Sequence, residues 1–203
     1  LRQIIKNNNL NFQISSKTLE IFSKESLILP DTYFFTDRQQ LERLMINQKI
    51  RLDNILKRLW ENKPKDNPLK SMNEALVLAS IVEREAAVEW ERAQISSVFL
   101  SRIRDGWRLD ADPTLIYGYY GDFSKKITKE NLKAVKGDNN PFNTYKIKGL
   151  PPRPICYPSL SSIESVIMSS PGEYFFFVAK GDGTHIFSKT CLLYTSPSPR
   201  DQV

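Results

Sequence analysis

The side chain best placed to do chemistry in this chain is an acid, Glu83, set where a helix should be apolar in the run Ala79-Ser80-Ile81-Val82-Glu83-Arg84-Glu85-Ala86. From Glu74 to Arg104 there is no Pro or Gly and apolar residues recur at helical spacing, which predicts one long helix. At about 100° per residue, Glu83 falls on the face of Leu76, Ala79, Ala87 and Trp90. A carboxylate on such a face loses water, which disfavours its charged form and raises its pKa. A carboxylic acid still protonated near neutral pH is what a general acid requires. Periodicity alone leaves a second reading open, a glutamate at the rim of a buried face that reaches solvent or pairs with Arg84 or Arg92.

The rest of the composition narrows the chemistry. The chain has 203 residues, 40% of them hydrophobic and 11% aromatic, enough for one ordinary core plus a smaller piece. A formal net charge of +6 suits an anionic partner or surface, such as anionic lipid headgroups or a bacterial wall polymer. No dense Lys/Arg cluster is interleaved with aromatics, so nucleic acid is not the expected partner. No stretch reaches the length of apolar residues that spans a bilayer. The chain opens on Leu1-Arg2-Gln3-Ile4 with no Met and no signal-peptide pattern, as expected of a piece that begins inside a longer protein. Cys156 and Cys191 have neither metal-ligand spacing nor a disulfide framework. The one histidine, His185, excludes a multi-histidine metal site and leaves a Ser-His-Asp triad unsupported. Neither metal nor cofactor is expected, and catalysis must lean on carboxylates.

These groups need elements to hold them. Leu41, Leu44, Met45, Leu52, Ile55, Leu56 and Leu59 predict a helix over Arg38–Trp60, capped by Thr36 or Asp37. Glu61 to Leu69, with Pro64 and Pro68, reads as a linker, after which Ser71 or Asn73 caps the long helix. Asp105-Gly106 ends that helix, and Asp110-Ala111-Asp112-Pro113-Thr114 reads as a loop. A short helix is expected to begin near Thr128, and the Pro-rich stretch 137–160 excludes regular structure. Ser161 to Met168 predicts a helix capped by Ser161. Tyr174 to Ala179 reads as a buried strand, with Gly181-Asp182-Gly183 turning the chain into a second strand over Thr184–Ser188. The expected class is α+β, helices with a small β-sheet and ordered Pro-rich loops around a cleft. Residues 191–203, with Ser196-Pro197-Ser198-Pro199, break the pattern and are expected to be a disordered, aberrant tail.

Four ordered motifs carry a resemblance. Leu78 to Ala86, then Arg108-Leu109-Asp110-Ala111-Asp112-Pro113-Thr114-Leu115-Ile116-Tyr117-Gly118, resemble two blocks of the YceG-like endolytic murein transglycosylases, the MltG family. Asn143-Thr144-Tyr145 with Gly149-Leu150-Pro151-Pro152 resembles a third block, and Phe177 to Ser188 a fourth. Leu29-Pro30-Asp31-Thr32-Tyr33 is similar to the family's junction between a LysM-like subdomain and its catalytic domain. Tyr157-Pro158-Ser159 stands where the family usually has Asn-Pro-Gly, and Cys191-Leu192-Leu193-Tyr194 replaces the usual ending.

The resemblance implies a remnant of the LysM-like subdomain over 1–36 and a catalytic domain over 37–190. It implies a carbon–oxygen lyase anchored in the bacterial inner membrane by an N-terminal helix absent from this chain and facing the periplasm. Its substrate would be peptidoglycan glycan strands, cut between MurNAc and GlcNAc to leave a 1,6-anhydro-MurNAc end, beside peptidoglycan synthases whose nascent strands it terminates. The catalytic glutamate implied is Glu83, not Glu85, with Asp112, Thr114, Tyr117, Asn143, Tyr145 and His185 as substrate-binding residues. Three of these also have a plainer reading: Asp112 as a turn cap, Asn143 as a loop stabiliser, His185 as strand packing. The competing function is a peptidoglycan-binding module whose catalysis is impaired. Pyridoxal-phosphate lyase chemistry would need a Schiff-base lysine and a phosphate cradle, and no such pattern is visible.

Overall fold

Asp37 starts the first helix by accepting the Gln40 N–H at 2.8 Å. The computed structural model describes residues 28–128 and 130–191, so a LysM-like remnant before residue 28 and a tail after residue 191 lie outside the described residues. Helix α1, Arg38–Glu61, buries Leu41, Met45, Leu52 and Leu56, the stripe its apolar spacing predicts. Ser71 caps α2, Met72–Glu85, taking the Glu74 N–H at 3.1 Å, while the Glu74 carboxylate reaches the Lys70 N–H at 2.6 Å.

The predicted long helix is broken. Ala86 (φ −80°, ψ 110°) and Val88 (φ −117°, ψ 139°) are extended, a single 3₁₀ turn follows at Glu89–Glu91, and α3 runs Arg92–Arg104. Trp90 is therefore not on the helical face of Glu83, and it is 69% exposed. No Gly or Pro causes the break. It coincides with the buried Glu91 carboxylate gripping His185, a contact that outweighs helix preferences of a few tenths of a kcal/mol per residue.

Helix α4, Asp112–Tyr120, occupies the stretch read partly as a loop; Pro113 sits in its first turn, where a missing N–H costs nothing. Gly121 (φ +79°) closes it in the left-handed conformation, and a Cβ on Gly118 would overlap the Asn140 side chain. Helix α5 is shorter and later than expected, Leu132–Gly137. Helix α6 runs Leu160–Met168 and is capped by Ser159, not Ser161. Its other end is held by the supposed linker: the Asn67 amide donates to the carbonyls of Val166, Ile167 and Ser169 at 3.0, 3.2 and 2.9 Å.

The fold is α+β. Strands β1 (Phe176–Ala179) and β2 (His185–Ser188) form an antiparallel hairpin in which Ala179 faces His185 beside the Gly181-Asp182-Gly183 turn. Helix α2 is the axis, buried continuously from Ala75 to Val82 and packed by α6 and α3. Among the described residues no helix is long and apolar enough to cross a membrane.

Candidate active site

Both carboxylates of the opening motif sit at the C-terminal end of α2, about 200° apart around its axis, so they meet different neighbours. Glu83 turns toward α6. Its Oε2 accepts the Ser159 N–H at 3.0 Å, the Ser159 hydroxyl at 2.6 Å and the Ser162 hydroxyl at 2.6 Å. Arg92 approaches Oε1 at 3.5 Å. Burial pushes the Glu83 carboxyl upward, but the hydrogen bonds from Ser159 and Ser162, with Arg92, outweigh it and hold the group below the ordinary glutamate value of 4.5. This is an ionised carboxylate that ties α2 to the start of α6. Ser159 supplies two of the bonds.

Glu85 turns the other way, into a cleft of about 230 Å³ lined by Arg102, Asp110, Asp112, Tyr145, Phe177 and His185 among others. Burial, then the charge of Asp112, push the Glu85 carboxyl up to about 8, with Arg102 pulling back. At neutral pH this acid carries its proton. Glu83 does not line this cleft, and its shift is downward where its apolar helix face predicts an upward one.

The remaining walls are fixed by a few bonds. Asp110 adopts a left-handed backbone (φ +46°), which Asp tolerates better than most residues. Its N–H donates to the Thr144 carbonyl at 3.3 Å, and the Ala111 N–H to Thr144 Oγ1 at 3.0 Å. Asp112, at the start of α4, accepts the Tyr145 hydroxyl at 2.7 Å, and burial and that bond raise the Tyr145 phenol. Arg102 donates from Nε to the Phe175 carbonyl at 2.8 Å and from Nη1 to the Leu109 carbonyl, tying α3 to the hairpin and to the Asp110 loop. Glu91 accepts the His185 backbone N–H at 2.9 Å and pairs with its Nδ1 at 2.7 Å. When Nδ1 carries that proton, Nε2 is the ring nitrogen left for a ligand.

Of the expected binding residues, Asp112, Tyr145 and His185 converge on this cleft. Thr114, Tyr117 and Asn143 do not. Thr114 is fully buried, bonded to Thr144 Oγ1 at 2.8 Å and to the Ala111 carbonyl at 2.7 Å. Tyr117 packs with Phe142 and Phe123, ring centroids 5.1 and 5.9 Å away, under the Arg153 guanidinium. Asn143 has its amide donating to the Lys136 and Asp138 carbonyls and accepting the Tyr145 N–H, so it shapes the loop that presents Tyr145. Glu85, Arg102 and Glu91 escaped periodicity as site residues, because what distinguishes them is packing between segments distant in sequence.

An α+β domain whose central helix delivers a protonated glutamate to a carboxylate-lined cleft is the class defined so far. Comparison with known proteins assigns the family. The YceG-like family profile matches residues 1–194, and the chain belongs to that family. It is similar to an endolytic murein transglycosylase of Bacillus subtilis (strain 168), 31% identical over 179 residues, covering 85% of this chain and 48% of the relative. A protein of the same name from Streptococcus pneumoniae serotype 2 is 30% identical over 156 residues, covering 76% of this chain and 28% of that one. The crystal structure of a YceG-like protein from Listeria monocytogenes superposes with a TM-score of 0.69 at 29% identity, over 84% of this chain and 54% of the other. The chain therefore spans about half or less of the proteins it resembles.

Proposed function

We propose that this domain cleaves peptidoglycan glycan strands between MurNAc and GlcNAc, with Glu85 as the acid. The observation that carries the reading is a glutamate raised to about 8 inside a cleft shared with Asp110, Asp112, Tyr145 and His185. The neutral Glu85 carboxyl donates its proton to the leaving O4 of GlcNAc as the bond to C1 of MurNAc breaks. Positive charge then develops at C1, and Asp110 and Asp112 favour it electrostatically. The MurNAc C6 hydroxyl attacks C1, and the Glu85 carboxylate takes up the hydroxyl proton. Atoms balance without water and the new end is 1,6-anhydro-MurNAc. By the resemblance, the reaction is endolytic, terminates nascent strands beside the synthases, and takes place on the periplasmic side of an inner membrane reached through an anchor outside this chain.

A second reading has specific support. The cleft holds more than one carboxylate, and a hydrolase needs a second one as nucleophile or as base for water. Asp110 and Asp112 both line the cleft with Glu85, and Asp112 is engaged by Tyr145. Asp110 is therefore the candidate base. Digestion of purified strands in heavy-oxygen water, with mass analysis of the ends, separates the two. Anhydro ends that resist borohydride and carry no label support the lyase. Labelled, reducible MurNAc ends that disappear in Asp110→Asn support hydrolysis. Strands bound tightly but left whole by the wild-type domain would leave only the impaired binding module.

A further inference from the structure

A second cleft, about 440 Å³, adjoins the first through a shared wall, Asp110. Its other walls are Trp107, Arg108, Lys146 and Lys148 with Gly106. The two clefts differ in sign. The first presents the side chains of Glu85, Asp110 and Asp112 against Arg102 and His185, whereas the second presents three cations against the one shared carboxylate. The cations differ in how far they are already engaged. Lys146 donates to the Gly137 carbonyl and to Asn139 Oδ1 at 2.7 Å, which fixes its ammonium at the mouth. Arg108 lies 3.9 Å from Asp110, a loose pairing with both side chains well exposed. Lys148 has no ion pair or hydrogen bond among the described residues and is exposed. Trp107 is 46% exposed and is held by Phe175 and Phe176, ring centroids 5.0 and 6.0 Å away, so the ring is anchored while about half of it stays accessible.

We propose that this second cleft is a subsite for the carboxylate-bearing substituent of a MurNAc residue next to the scissile bond. The anchored, half-exposed Trp107 offers its accessible ring surface to the sugar, and Lys148 with Arg108 takes the carboxylate. The argument rests on the glycan-strand reading above and adds to it a selectivity for acidic strands over neutral ones. A glycan crossing Asp110 passes from a site that favours developing positive charge to one that favours fixed negative charge. A neutral amino-sugar polymer would leave the three cations without a counter-charge. Two sources carry the required group, the lactyl carboxylate of a sugar without its peptide and, where the peptide is amide-linked to that group, the carboxylates of the peptide itself.

Binding is measured on the Glu85→Gln protein, so that turnover is not needed, with three probes of equal length: peptide-bearing strands, amidase-stripped strands whose lactyl carboxylate is freed, and chitooligosaccharide. Lys148→Gln and Arg108→Gln, each added to that background, should weaken binding to acidic strands about two- to fivefold per cation and Lys148→Glu somewhat more, with the loss fading at high salt. Chitooligosaccharide affinity should stay within about twofold, the size of a change with no charge partner. A loss confined to amidase-stripped strands identifies the lactyl carboxylate, a loss confined to peptide-bearing strands identifies the peptide, and losses on both show that the cleft takes either carboxylate. Losses as large on chitooligosaccharide, or no loss on any probe, overturn the subsite. Charge-dependent binding together with a wild-type domain that cuts no strand would sink the catalytic reading and keep the subsite. Normal cutting with affinities blind to Lys148 and Arg108 would do the reverse. Lys148 is exposed and unbonded, so its variants should melt with their parent.

Discussion

Exchanging each motif glutamate for glutamine should produce opposite phenotypes. At Glu85 the loss is chemical. Gln keeps the shape but has no acidic proton, and removing a general acid costs about 10² to 10⁴ in rate. Stability should move the other way. Between pH 4.5 and about 8 the folded protein keeps the Glu85 proton that the unfolded chain has released, so the fold binds more protons and loses stability as pH rises through that window. At about 1.4 kcal/mol per decade of acidity constant the full penalty comes to about 5 kcal/mol, and water at the cleft mouth should reduce it to about 2 or 3. Gln has no proton to lose, so Glu85→Gln should gain that much over wild type between pH 5 and pH 9. At Glu83 the loss is structural. Three bonds to Oε2 lose their charge assistance at about 1 kcal/mol each. Exposure of about a quarter of the side chain brings the total to about 2 kcal/mol, or about 4 to 8 °C in melting temperature. Cleavage by Glu83→Gln at a temperature where it is folded should stay within about tenfold of wild type, well short of the loss of a general acid. Strand digestion alongside thermal melts at pH 5, 7 and 9 tests all of this. An inactive Glu83→Gln that melts like wild type, beside an active Glu85→Gln, would refute the assignment.

The strand-cleavage rate should decline above about pH 8, by about tenfold per further pH value as Glu85 loses its proton, and a pH–rate profile on purified strands checks it. Lowering the pH should titrate the Glu83 anchor instead: its stabilisation is present above the ordinary value of 4.5 and is lost as pH falls through its depressed folded value, so acid unfolding followed by circular dichroism should come earlier in wild type than its neutral-pH advantage over Glu83→Gln suggests. Asn67→Ala removes the side-chain cap of α6 at a 3% exposed position and should cost about 2 to 3 kcal/mol with kcat and KM unchanged at 25 °C, read by denaturant melts and kinetics. Glu91→Gln should leave the His185 ring without its carboxylate and lower kcat/KM about tenfold, a loss measured on defined strands and larger than any change in KM.

Where a helix meets one environment per face, its period reports the environment. The amphipathic α1 shows this, with Leu41, Met45, Leu52 and Leu56 buried as their spacing predicts, and the hairpin over Phe176–Ser188 was equally plain from its turn residues. Helix α2 has no solvent face over Ala75–Val82, so its period carries no information about which of two terminal carboxylates is stripped of water. That choice is made by segments far along the chain: Ser159 and Ser162 supply donors to Glu83, whereas Asp112 supplies a like charge to Glu85. The same holds for the break at Ala86–Val88. Helical preference favours continuing the helix, and the grip of Glu91 on a histidine 94 positions later decides against it. Motif spacing picked out blocks that meet in space, since Asp112, Tyr145 and His185 reach one cleft, but it could not separate them from Thr114, Tyr117 and Asn143, which hold the walls from behind. The two kinds of residue differ in direction, not in type. A buried amide or hydroxyl whose bonds are all made within the surrounding loops serves those loops, and a half-buried acid beside a like charge is left with a proton to give.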